Sequence, residues 1–220
     1  MLIPELINHT LPRLKLQDTA SKALQLLSDF RVSHLPVVNE DDYLGLIGEN
    51  ELLDAEHDQV LIEALQRDFI AARIYENSHF LSAVNFCNQY ESTLAPIVSA
   101  EQKYLGAITV PDLLRVLGDF SGANSLGGII VIQMERTQFG LSEISRIVES
   151  NDATLLHLNT TVHPVTGLLT VTLHLNKREI NAIVATFARY DYEVIYQYGE
   201  SGYDDDMRDN YRHLMNYLDI

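Results

Sequence analysis

Thr109 stands three positions before Asp112, where an apolar strand-like run gives way to an apolar run of helical period. A hydroxyl at a helix start accepts from the free N–H groups of the first turn, and an acidic residue at the third helical position bonds back to that start. Thr-x-x-Asp therefore reads as a capping-box variant, with Thr109 as N-cap and Asp112 at N3. Pro111 inside the first turn sacrifices no intrahelical N–H bond. The same residues suit a ligand. A helix N-terminus gathers N–H groups that attract phosphate, and a carboxylate beside it accepts from ribose hydroxyls. The two readings are compatible.

Other residues with chemical potential point less far. No P-loop, paired-glycine dinucleotide fingerprint, His-Glu-x-x-His or Gly-x-Ser-x-Gly elbow occurs, so no catalytic residue is nominated and no enzymatic activity is expected. Cys87 is the only cysteine, which excludes an intrachain disulfide and a thiolate metal cluster. If a hairpin pairs Leu158 with Leu173, His157 lies opposite His174. Two imidazoles fall short of the three or four ligands of a metal site, and the pair reads as solvent-facing. Should two copies of the chain meet across that face, four imidazoles would gather into a metal-binding or pH-sensitive cluster. Asp204, Asp205 and Asp206 lack EF-hand spacing and read as the solvated cap of a tail helix.

The elements that must position Thr109 and Asp112 come from an internal repeat. A shift of 60 residues lays RLKLQDTASKALQLLSDFRVSHLPVV (Arg13 to Val38) over RIYENSHFLSAVNFCNQYESTLAPIV (Arg73 to Val98). Arg13 meets Arg73, Ala23 meets Ala83 and Pro36 meets Pro96. One extra residue in the second turn moves the offset to 61, and Tyr43-Leu44-Gly45 then meets Tyr104-Leu105-Gly106. Each copy reads as a short strand, an amphipathic helix, a hairpin and a second helix. Ala20, Ala23, Leu24, Leu27 and Phe30 form one apolar stripe, repeated by Val84, Cys87 and Tyr90, which places the Cys87 thiol in a core.

These residues resemble a tandem pair of cystathionine β-synthase (CBS) domains over roughly Leu11 to Gly118. The apolar-Pro-apolar strand and the run Gly106-Ala107-Ile108-Thr109-Val110-Pro111-Asp112 carry the resemblance. It implies an adenosine-containing ligand such as AMP, ATP or S-adenosylmethionine, with Asp112 toward the ribose and Thr109 near phosphate. It further implies Ala95, Pro96 and Ile97 as a strand wall behind the base, and Ser78 as a lesser candidate. No cofactor is required. The first copy departs from the pattern, with Gly48 for the threonine and Glu51 for the aspartate, so it is expected to bind weakly or not at all.

Asp119 to Gly128, DFSGANSLGG, reads as a linker. Beyond it, Ile129 to Met134 reads as a strand and Leu141, Ile144, Ile147 and Val148 as a helix. Thr154 to Val162 and Leu168 to Asn176 flank a hairpin turn; Leu156 and Leu158 are expected to share the inward face with Val171, Leu173 and Leu175. Ile180, Ile183, Val184 and Phe187 mark a second helix, and Glu193 to Tyr198 a last strand. This order resembles an ACT domain, a ferredoxin-like regulatory fold, although Thr137-Gln138-Phe139-Gly140 stands where an Asp-x-x-Gly ligand loop is usual. The expected fold class is α+β: a tandem CBS-domain pair of β-α-β-β-α repeats over 1–118 (copies at about 11–57 and 71–118), a linker over 119–128, and an ACT-type βαββαβ domain over 129–220. That last span includes a tail helix from Tyr203 to Ile220 with Met207, Tyr211, Leu214 and Leu218 on one face. The whole is similar to bacterial CBS proteins of the acetoin-utilisation type.

Composition bounds the partners. The chain has 220 residues and a net charge of −16, with a pI near 4.7. That balance argues against a nucleic-acid footprint and, by long-range repulsion, favours AMP or an adenosyl group over ATP. The most apolar stretch, Leu126 to Ile132, is too short to cross a bilayer, and the N-terminal residues lack a signal-peptide pattern, so a cytoplasmic location without membrane attachment is expected. The resemblance and the amphipathic tail imply a homodimer. Three functions follow: a regulatory ligand-sensing protein, an interaction scaffold with vestigial sites, or an amino-acid-sensing ACT-type regulator.

Overall fold

The computed structural model describes residues 3–199 apart from Glu56 and Asp58. The tail, with the expected helix and its three aspartates, lies outside the described residues. The chain divides into two compact units between Phe120 and Ser121.

The first unit is built twice over. In the first repeat a parallel bridge from Leu14 to Val37 precedes α1 (Ala20–Phe30), β1 (His34–Asn39), β2 (Asp42–Gly48) and α2 (Glu49–Leu53). In the second, β3 (Ile74–Tyr75), α3 (Phe80–Tyr90), β4 (Leu94–Val98), β5 (Tyr104–Thr109) and α4 (Val110–Ser121) follow the same order. Both hairpins are antiparallel, and both shift register at the same place, between Val37 and Val38 and between Ile97 and Val98. Helices α1 and α3 each end on a left-handed residue, Arg31 and Glu91, which turns the chain into the hairpin.

The stripe expected on α1 buries Ala20, Ala23 and Leu27, whereas Phe30 is 44% exposed at the helix end. In α3 the buried positions are Phe80, Ala83, Phe86 and Cys87. Large and small have exchanged places: Phe80 answers Ala20 and Cys87 answers Leu27, so each repeat fills its half of one shared core.

Each repeat also completes the other's sheet. Asn8 exchanges hydrogen bonds with Ala107 of β5 (2.9 and 3.3 Å), and Ile70 does so with Leu46 of β2 (2.8 and 2.9 Å). Gly106 and Gly45 lie beneath these crossings. A Cβ on Gly106 would stand 2.5 Å from Ile7 Cγ2, and one on Gly45 would stand 2.8 Å from Phe69 Cβ. Glycine is what admits the neighbouring segment.

The second unit comprises β6 (Gly128–Met134), α5 (Leu141–Glu149), β7 (Leu155–Val162), β8 (Leu169–Leu175), α6 (Asn181–Arg189) and β9 (Glu193–Tyr198). The sheet order is β7-β8-β6-β9 with every neighbour antiparallel, which is the ferredoxin-like arrangement that the element order implied. Ile130, Ile132, Val171, Leu173, Ile144, Ile147, Ile183 and Phe187 form its core. The irregular stretch before it is shorter than the sequence suggested, because α4 runs on to Ser121 and β6 starts at Gly128.

Two expectations in this unit are corrected. Leu158 does pair with Leu173 and His157 with His174, but the register shifts between Leu155 and His157. Leu155 takes the inward place beside Leu158, and Leu156 is 45% exposed. His174 does not face solvent: it is 8% exposed, and Gly122 and Gly127 pass so close that a Cβ on either would stand 3.0 Å from its ring nitrogens. The chain's own segment covers the imidazole, which removes the four-histidine cluster across a dimer face.

Candidate functional site

Thr109 ends β5 and opens α4, where it is half-buried. Its hydroxyl accepts from Asp112 N–H at 3.3 Å and donates to Asp112 Oδ2 at 2.6 Å. The capping reading therefore holds in geometry, with the back-bond made to the hydroxyl. The other carboxylate oxygen, Oδ1, lies 3.5 Å from Arg115 one turn on. The Asp112 side chain is 33% exposed and that of Arg115 65%. A polar, partly open surface of hydroxyl, carboxylate and guanidinium thus forms at the start of a twelve-residue helix. Arg115 was not singled out by the sequence reasoning; its i,i+3 spacing from Asp112 was the available signal.

Ala95, Pro96 and Ile97 are all buried within β4, opposite Ile108, Ala107 and Gly106 of β5. With both faces of this strand covered by the packed unit, no side chain there lines an open surface. Ser78 is half-buried in the turn before α3, where its N–H donates to Tyr75 O at 2.9 Å. Cavities of about 310 Å³ at Tyr75, Glu76, Asn77 and Ala100, and about 450 Å³ beside Arg73, Asn85 and Gln89, lie in the second repeat. Neither is lined by Thr109 or Asp112.

The first repeat presents a different surface at the corresponding place. Gly48 caps α2 without a side chain, and α2 has only five residues. A Cβ on Gly48 would stand 2.6 Å from Glu51 Oε2 and 2.9 Å from His34 Nε2. His34 Nδ1 is hydrogen-bonded to Ser33 Oγ at 2.8 Å. Burial holds the His34 pKa below its usual value, and the Glu51 carboxylate opposes that shift. His34 went unremarked in the sequence, although it is a polar residue where the second repeat has Leu94.

Burial raises the Cys87 thiol pKa to about 11, which keeps it protonated in the core near neutral pH. Among the described residues no group of three or more His, Cys, Asp or Glu side chains is placed to hold a metal ion. No helix among them is long and apolar enough to cross a membrane.

Residues 5–58 match the CBS domain family. The first repeat is thus a CBS domain, and the second reproduces it element for element, so the unit has the fold of a CBS domain pair. Among solved structures, the chain is similar to a CBS domain pair/ACT domain protein from Thermotoga maritima, at 16% identity over 55% of this chain and 98% of that one, with a TM-score of 0.49. It is similar to CBSX2 in complex with AMP, at 16% identity over 54% of this chain and 97% of the other, TM-score 0.45. A third is a Vibrio cholerae protein assigned to acetoin utilization (AcuB), at 14% identity over 56% and 95% of the two chains, TM-score 0.46.

Proposed function

We propose that the chain is a regulatory protein whose CBS pair binds one adenosine-containing nucleotide at the start of α4. The observation that carries this reading is the Thr109–Asp112 pair, which sets a half-exposed hydroxyl and carboxylate beside the first-turn N–H groups. Asp112 accepts from the ribose hydroxyls, while Thr109 and the helix start lie near phosphate. Arg115, which partners Asp112 in the free protein, supplies a positive charge on the phosphate side. Ser78 lies at the approach through the turn before α3, and Ala95, Pro96 and Ile97 support β5 from behind. The reading needs no cofactor and no catalytic step. AMP fits better than ATP, because each added phosphate meets the repulsion of a chain carrying −16.

Titration calorimetry with AMP and ATP tests it. Asp112→Ala removes charged hydrogen bonds worth roughly 1.5 to 3 kcal/mol, a loss of about tenfold to a hundredfold in affinity. Glu51→Ala leaves binding nearly unchanged. No binding of either nucleotide to the folded protein, or equal losses from the two substitutions, would reject the reading.

The ferredoxin-like unit is read as an assembly element. Tyr196 and Tyr198 on β9 are 55% and 63% exposed, rings that a second copy of the chain would cover. The protein is accordingly a homodimer in solution. Light scattering that returned the single-chain mass of 24.9 kDa at micromolar concentrations would overturn this.

A further inference from the structure

The start of α2 is the counterpart of the start of α4, and its chemistry is of another kind. Where the second repeat offers the Thr109 hydroxyl, the first has Gly48, and the space a side chain would take there is bounded by Glu51 Oε2 and His34 Nε2. His34 is held in that place. Its Nδ1 bonds Ser33 Oγ at 2.8 Å, and Ser33 in turn meets Thr93 of the second repeat through Ser33 N–H to Thr93 Oγ1 at 2.8 Å and Thr93 N–H to Ser33 Oγ at 3.1 Å. A ring anchored at one nitrogen can present only the other, and that nitrogen stands over the helix start.

We propose that His34 and Glu51 form a built-in plug that closes the first repeat, so that the CBS pair takes one nucleotide and not two. The inference rests on the proposed nucleotide reading of the second repeat and adds what happens in the first. A phosphate or ribose group approaching the Gly48 end would have to displace an anchored imidazole and the Glu51 carboxylate that together fill the space beside Gly48. The helix behind it has five residues and no side-chain cap, whereas α4 has twelve. Leu94, the residue at the His34 position, lies buried in β4 and has no polar atom to set beside Thr109. The plug is thus three substitutions at one point in space, drawn from the start of β1, the end of β2 and the first turn of α2.

The experiment transplants the second repeat's residues into the first. AMP is titrated calorimetrically into the full chain, into His34→Leu/Gly48→Thr/Glu51→Asp, and into each of these carrying Asp112→Ala. Gly48 has φ −97° and ψ 171°, extended backbone that threonine adopts without strain. The expected result is one equivalent of AMP for the natural chain, two for the triple variant, one weakened about tenfold to a hundredfold for Asp112→Ala alone, and one unweakened equivalent beside the weakened one for the triple variant with Asp112→Ala. Two equivalents in the natural chain would overturn the plug. So would a folded triple variant that gains no equivalent in either background. If the natural chain binds no AMP, the nucleotide reading of the second repeat fails by itself; the plug then stands or falls on whether the triple variant with Asp112→Ala binds one equivalent. His34→Leu/Glu51→Asp, which keeps Gly48, serves if the triple variant does not fold, and the absence of an added equivalent there overturns the proposal equally.

Discussion

Ser33 and Thr93 hold the same position in the two repeats and hydrogen-bond to each other reciprocally, backbone N–H to hydroxyl in both directions, at 2.8 and 3.1 Å. Between equivalent positions of two repeats, reciprocity of this kind is what a twofold relation produces. A second such point lies at the hairpin turns, where Tyr43 N–H donates to Gln102 O and Tyr104 N–H to Asp41 O. There the two tyrosine rings stack with centroids 6.3 Å apart. The two repeats are therefore fastened at both ends of one pseudo-twofold axis.

The Ser33–Thr93 fastening is expected to be energetically coupled. Thr93→Val removes the acceptor of a part-buried N–H and should cost about 1 to 3 kcal/mol of stability. Ser33→Ala removes the mirror-related bond, and the double variant should lose less than the sum of the two, by at least about 0.5 kcal/mol. Urea unfolding of the four proteins measures this, and strict additivity would contradict the pairing.

Two glycines should respond oppositely to alanine. Gly106 has φ +144°, and an added Cβ would stand 2.5 Å from Ile7 Cγ2 and 2.9 Å from Asn8 O, so Gly106→Ala should destabilise by more than about 1 kcal/mol. At Gly118, inside α4, a Cβ would meet nothing within 4 Å, and Gly118→Ala should stabilise by about 0.5 to 1 kcal/mol. Denaturant midpoints that moved in the same direction for both would refute the account.

Stability should fall with acid through His34. Its folded pKa lies below the unfolded value near 6.5, so the unfolded chain takes up the proton first as pH drops. The neutral imidazole's contribution is complete above 6.5 and is lost as pH falls through that value toward the folded pKa, with Glu51 softening the loss. Unfolding free energies measured from about pH 8 to about pH 5 should decline less steeply in His34→Gln than in the natural chain. Parallel profiles would show that His34 titrates alike in both states.

Cys87 should be silent toward thiol reagents in the native protein at pH 7, since its thiol is buried and its pKa stands at about 11. Labelling should become rapid in urea, with one thiol per chain. Fast modification of the folded protein would contradict the placement of this side chain.

Much of this architecture was legible in the sequence because it is written twice. The 60-residue offset pairs Ser33 with Thr93, and the later offset of 61 pairs Gly45 with Gly106. Periodicity alone placed β6, β8, α5 and α6. It misplaced Leu156, because a bulge adds a residue to one strand without any mark in the alternation. For Ala95, Pro96 and Ile97 the sequence carries no mark of depth, since an apolar strand reads alike whether it lines a cleft or lies sealed between layers. The exchange of Ala20 and Leu27 for Phe80 and Cys87 stands in the alignment, but that the two compensate follows only from both helices sharing one core. The His34–Glu51 closure was hidden for the same reason, since residues from three elements meet at Gly48 through folding and not through spacing.

The crossing of the two segments has a consequence for how the protein is made. Asn8 finds its partner in Ala107, 99 residues further along the chain. During synthesis at roughly 5 to 20 residues per second, the early segment must wait several seconds with its backbone unpaired. Contacts so distant in sequence slow folding, because the loop between them must close before the bonds form. The Asn8 segment is therefore a passenger of the second repeat on the ribosome, its backbone groups without their partner until β5 emerges, and that interval is when the segment is most exposed to pairing with the wrong neighbour.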